Sequence, residues 1–197
     1  MMQHEGMRDA STAPPPGPLG LNPFLRRAIV ATDGTVTHLI EAFVEPVKIQ
    51  KLEERPIEPP LAGWRELEQG HEVVLRRVLI IGQRTGRVFL HAESLIVLDH
   101  LDETLRRELL ETDKPIGKLL REYRRETFRE LLGHHLEPAG DLARHFGCSR
   151  EQTLLARVYR IVLAGRPAIQ ITERFPDNGE GLCAAPEEVE VNGYKQS

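Results

Sequence analysis

The chain has 197 residues, with 26 Lys and Arg against 30 Asp and Glu. This length suits one domain with a real core, and the mild acidity excludes a surface built to attract nucleic acid or an anionic membrane. Cys148 and Cys183 are too few for a disulfide framework or a zinc set, and apolar runs such as VVLRRVLIIG fall far short of the roughly 20 residues of a membrane span. With no signal-peptide pattern at the start, a cytoplasmic protein with small-molecule partners is expected.

In chain order, residues 1–21 are rich in Pro, Gly, Ser and Thr and are expected to form a disordered leader, with a flexible tail over 177–197. The fold then occupies 22–176. NPFLRRAIVA reads as a short helix capped by Asn22 with Pro23 in its first turn, and TVTHLIEAFV as a second helix. VKIQKLEE suggests an exposed strand, followed by the Pro-rich connector RPIEPPLAG. EVVLRRVLII and GRVFLHAESLIV form one antiparallel hairpin, and RVYRIVL and AIQITERF form another across AGRP. Between the hairpins, DETLRRELLE is helical. PIGKLLREYRRETFRELLG reads as a longer helix, capped by Asp113, that buries Ile116, Leu119, Leu120, Tyr123 and Leu131 and brings His134 and His135 to its end. The fold class is α+β with an antiparallel β-sheet.

Several charges break this pattern. Glu173 shares a row with Ile169, Ile171 and Phe175. Arg76 shares a row with Val74, Val78 and Ile80, and Arg77 with Val73, Leu75, Leu79 and Ile81, so alternation leaves open which arginine points inward. Arg160 lies between Val158 and Val162, and Glu93 between His91 and Leu95. A single such residue is most simply a structural ion pair. Several on one sheet are costly, at several kcal/mol per buried ion unless partners or a ligand satisfy them. Arginine and a carboxylic acid in an apolar pocket can hold a carboxylate and move a proton. KPIG adds a helix start, which offers unpaired backbone N–H groups, and Gly117 permits close approach. No GxGxxG, P-loop, HExxH or recognisable nucleophile setting occurs, which points away from nucleotide, metal and covalent chemistry.

Taken together and in order, DGTVT, VVLRRVLIIG, AESLIV, KPIGKLLRE, RVYRIVLAGRP and ITERFP resemble the chorismate pyruvate-lyase family, closer to its uncharacterised-domain branch than to the ubiquinone-pathway enzymes. The resemblance implies an antiparallel sheet with helices on one side and as flaps enclosing an internal ligand cavity. It also implies conversion of chorismate to 4-hydroxybenzoate and pyruvate with no cofactor. Carried over by motif, the carboxylate-binding arginine is Arg76, the backbone contact is Ile116 beside Gly117, the acid is Glu173, and Val36 matches an apolar residue with a backbone ligand contact. Glu93 stands where the ubiquinone-pathway enzymes carry an arginine, which leaves Arg157 or Arg160 to supply the second cation. The alternative expectation is a non-catalytic binding protein or sensor for a small aromatic carboxylate on the same fold.

Overall fold

A computed structural model describes residues 23–32, 36–59, 61, 64, 67, 70–112 and 114–177. The expected caps Asn22 and Asp113, the leader, and the expected tail from 178 onward lie outside the described residues, while Asp177, expected to begin that tail, is buried and paired with Arg26. Two short helices lead, α1 (Pro23–Ala31) and α2 (Val36–Phe43). The strands β1 (Val47–Ile57), β2 (Val73–Gly82) and β3 (Val88–Val97) follow, then α3 (Glu103–Glu111) and α4 (Ile116–Glu122). The chain continues through β4 (Thr127–Pro138), α5 (Ala143–Phe146), β5 (Thr153–Leu163) and β6 (Arg166–Pro176). Among the described residues, no helix is long and apolar enough to cross a membrane.

The six strands form one antiparallel sheet in the order β1-β2-β3-β6-β5-β4. Both expected hairpins are present, and they join where β3 pairs with β6, which puts those two strands at the centre. The β5–β6 loop is Ala164 and Gly165, both at positive φ (48° and 77°), the two-residue arrangement whose twist matches its strands. Ile29 of α1, Ile40 of α2, Leu105 of α3 and Leu119 of α4 bury their apolar stripes with Val78, Ile96, Ile169 and Phe175 in the main core. The opposite face is covered by Trp64 and Leu67 against Val73 and Val97, and by Ala139 and Ala143 against Leu154. This double cover explains why β2 is apolar on both faces.

The expected long helix from Pro115 is corrected. It ends at Glu122, where Arg124 takes a left-handed φ of 48° and Arg125 N–H donates to the Leu120 carbonyl at 3.0 Å. TFRELLGHHLEP is instead the edge strand β4, exposed along most of its length. With neither face buried, nothing selects for alternation, and its mixed polarity imitates a helix. Leu131 is 41 % exposed rather than core, and His134 and His135 lie on the strand, with His135 Nε2 3.0 Å from Glu137 Oε2. A bulge between Leu131 and Gly133 and the terminal Pro138 protect this edge from further pairing. The connector is also shorter than expected: Arg55, Pro56 and Ile57 extend β1, an edge strand where proline is tolerated.

A second bulge matters more. Val162 faces Pro167 but Ile161 faces Ile169, so Ala168 has no opposite residue. A one-residue slip exchanges the two faces of a strand. Arg157, Tyr159 and Ile161 consequently lie opposite Glu173, Ile171 and Ile169 on the helix side, and Arg160 turns to the outer side.

His91, on the outer face of β3, is buried at 3 % exposure. Burial, reinforced by the nearby Arg174 guanidinium, pushes its pKa from 6.5 to about 4. A depressed base confers stability that is present above 6.5 and lost as pH falls through about 4, because only the unfolded chain takes up the proton in that window. His91→Gln is expected to flatten this acid limb, worth at most roughly 3 kcal/mol. Urea denaturation as a function of pH checks it, and an unchanged slope refutes it.

Candidate active site

The strand registers place the relevant side chains in two neighbouring rows on the helix side. One row runs Glu54, Arg76, Ser94, Ile171 and Tyr159 across β1, β2, β3, β6 and β5. The next runs Val78, Ala92, Glu173 and Arg157. Above them sits the start of α4. Arg76, Val78, Ala92, Ser94, Ile171 and Glu173 form the floor of a cleft whose other wall is Thr37 of α2 with Lys114, Pro115, Ile116 and Gly117. The structure thus brings together Arg76, Ile116, Gly117 and Glu173. The space is about 50 Å³, narrower than the enclosed ligand cavity expected from the sequence.

Arg76 is 2 % exposed; its Nε lies 3.5 Å from Glu54 Oε2, and Nη2 lies 3.5 Å from the Thr112 carbonyl. Arg77 points the other way. It bridges Glu53 and Glu93 at 2.6 Å each across the outer face, an ion-pair ladder that ties β1, β2 and β3 together. Glu93 is therefore committed to Arg77 and stands outside the cleft. Arg160 is outside it too, donating to Gln170 Oε1 at 3.0 Å with its guanidinium 5.2 Å from the Trp64 ring centre. Val36 is buried in the core at the start of α2, and its neighbour Thr37 is the residue that lines the cleft.

Glu173 is 7 % exposed, and the Tyr159 hydroxyl donates to its Oε1 at 3.0 Å. Burial pushes its carboxyl above the usual carboxylate range, against the opposing pull of the Arg157 guanidinium, the Tyr159 hydroxyl and Arg129. Burial and the adjacent carboxylate likewise hold the Tyr159 hydroxyl well above its ordinary pKa, so it remains a donor. Of the two arginines that the sequence left open as a second cation, Arg157 is the one that the register sets beside Glu173. It is 1 % exposed, its Nε is 3.9 Å from Glu173 Oε2, its guanidinium lies 4.7 Å from the Tyr159 ring centre, and Nη1 donates to the Ile29 carbonyl. The site is thus a cleft lined by a cation and an acid held away from water, an arrangement suited to binding an anion and exchanging a proton.

Fold and site define an α+β domain with a small-molecule cleft between sheet and helices. The family model described as "Chorismate pyruvate-lyase Rv2949c-like" matches residues 30–181. The chain belongs to that family. A chorismate pyruvate-lyase from Mycobacterium tuberculosis is 30 % identical over 155 residues, covering 76 % of this chain and 78 % of the relative. One from Mycobacterium leprae is 33 % identical, covering 76 % and 72 %. Among solved structures, the effector domain of PhnF from Mycobacterium smegmatis shares the fold at a TM-score of 0.58 with 12 % identity, over 81 % of this chain and 91 % of that one.

Proposed function

We propose that this protein is a chorismate lyase, eliminating pyruvate from chorismate to leave 4-hydroxybenzoate. The observation that carries the reading is that Arg76 and Glu173 line one cleft beneath the α4 start, in a chain of this family. Chorismate carries a ring carboxylate, an enolpyruvyl ether and an adjacent carbinol hydrogen. Breaking the ring-to-oxygen ether bond and removing the carbinol proton makes the ring aromatic, while the departing enolpyruvate gains a proton at its methylene carbon to become pyruvate. The proton count closes, because the carbinol proton replaces the one delivered.

Aromatisation favours the products, so the protein's tasks are orientation, exclusion of water and proton placement. Arg76 anchors the ring carboxylate through paired N–H groups. Glu173, whose hold on a proton is strengthened by burial, delivers the proton or binds the ring hydroxyl. Ligands of this size occupy pockets of about 300 Å³ or more. Substrate entry therefore moves the Lys114–Gly117 wall away from the sheet.

The test is to incubate the purified chain with chorismate and follow pyruvate and aromatic product together. Formation of both in equal amounts is expected, and a folded sample that forms neither removes the lyase reading. The alternative is a non-catalytic binding protein for a small aromatic carboxylate on the same fold, which the effector domain of PhnF also adopts. That reading predicts binding without turnover in the same samples.

A further inference from the structure

A dianionic substrate needs a second cation, and neither Glu93 nor Arg160 supplies one. Glu93 is held by Arg77 at 2.6 Å, and Arg160 faces Trp64 on the outer side. Arg157 differs from both. Its Nε and Nη2 are buried and have no hydrogen-bond partner among the described residues, and the same holds for Glu173 Oε2, 3.9 Å from that Nε. Glu173 belongs to the cleft wall and Arg157 lies behind it. The buried guanidinium and the acid are thus adjacent, in contact as charges but with hydrogen-bonding capacity left over.

We propose that Arg157 is the second carboxylate anchor of the cleft, and that an incoming carboxylate takes the place of Glu173 beside it while Glu173 binds a proton. The step balances: an ionised Glu173 that neutralised Arg157 gives up that role to the ligand anion and takes one proton from solvent. Buried charges of one site cannot all be uncompensated, so two carboxylates sharing one guanidinium drive one of them to protonate. The other charged and titratable groups around Glu173 are Tyr159 on β5 and Arg129 on β4, with Arg76 on β2 and Lys114 ahead of α4 lining the same cleft, to which β3 and α2 contribute Ala92, Ser94 and Thr37. Among these groups no second acid competes for the proton, since the Tyr159 hydroxyl stays protonated. Binding of the dianion thereby loads the acid that the reaction consumes.

This inference rests on the lyase reading of the same cleft. Its test is isothermal titration calorimetry with a monoacid probe, 4-hydroxybenzoate, and a diacid probe, 3-(carboxymethoxy)benzoate. Each is measured in two buffers of different ionisation heat and at a series of pH values rising from the ordinary carboxylate range. The diacid is expected to bind with up to about one proton more than the monoacid, and its affinity falls as pH rises through the Glu173 titration. The extra proton is absent in Glu173→Gln. In Arg157→Met the diacid loses at least tenfold in affinity while the monoacid is retained. Should that variant fail to fold, Arg157→Lys keeps the cation and is expected to weaken the diacid alone, with proton uptake preserved. A diacid that binds with no extra proton, or no more tightly than the monoacid, overturns the proposal while chorismate turnover still upholds the lyase reading. Absence of turnover together with no binding of either probe removes both.

Discussion

Glu173→Gln is expected to fold normally and to turn chorismate over roughly a hundred- to ten-thousandfold more slowly, the range for loss of a general acid. The amide matches the carboxyl in shape and still accepts from the Tyr159 hydroxyl, so packing at this 7 %-exposed position is preserved. What it loses is the proton. In the unaltered protein, the rate should fall as pH rises through the elevated Glu173 pKa, because the acid must be protonated to act. The same elevation has a sign in stability. The protonated acid supports the fold fully below the ordinary carboxylate pKa, and that support is lost as pH rises through the elevated one. Gln removes both dependences. Steady-state rates and denaturation midpoints measured across pH read the two effects separately, and equal activity of the two proteins eliminates the proton-transfer role.

Arg76→Ala is expected to act mainly on binding, raising KM about a hundredfold with a smaller change in kcat. Truncating one partner of a desolvated, hydrogen-bonded charge pair costs about 2–5 kcal/mol. Arg76 lies beneath the helix start, not beside Glu173, so its loss weakens both the ground and transition states. Direct titration with 4-hydroxybenzoate checks this without relying on turnover, and unchanged affinity would show that the ring carboxylate lies elsewhere. Circular dichroism controls for damage from opening space around Glu54.

Much of this architecture was legible because its signals were local. The alternation in VVLRRVLIIG and IQITERFP, with turn residues between strands, gave both hairpins, and an acid in an apolar row singled out Glu173. The choice of Arg76 over Arg77 came from the family resemblance, since both faces of β2 are covered and alternation is blind there. Two features escaped for physical reasons. In β4 a strand exposed on both faces carries no period of two, so a short helix and a strand merged into one apparent helix. In β5 the difficulty was phase. Extending the register of the Leu163–Arg166 end without interruption would set Ala156, Val158 and Arg160 on the side of Glu173; the unpaired Ala168 shifts it so that Arg157 is there instead. A bulge in a Pro-Ala-Ile stretch leaves no mark on composition or spacing.

This dependence on strand phase sets a route by which relatives could diverge. Losing the unpaired alanine would make the ladder continuous and leave Arg157 opposite Glu173, whereas losing one residue of β5 between Arg157 and Ile161 would turn Arg157 to the outer face with no substitution at all. Ligand preference on this scaffold is then open to change by a gain or loss of chain length as readily as by substitution. When family members are aligned, a single-residue gap between Arg157 and Ile161 therefore carries more information about the second anchor than the identity of any one arginine.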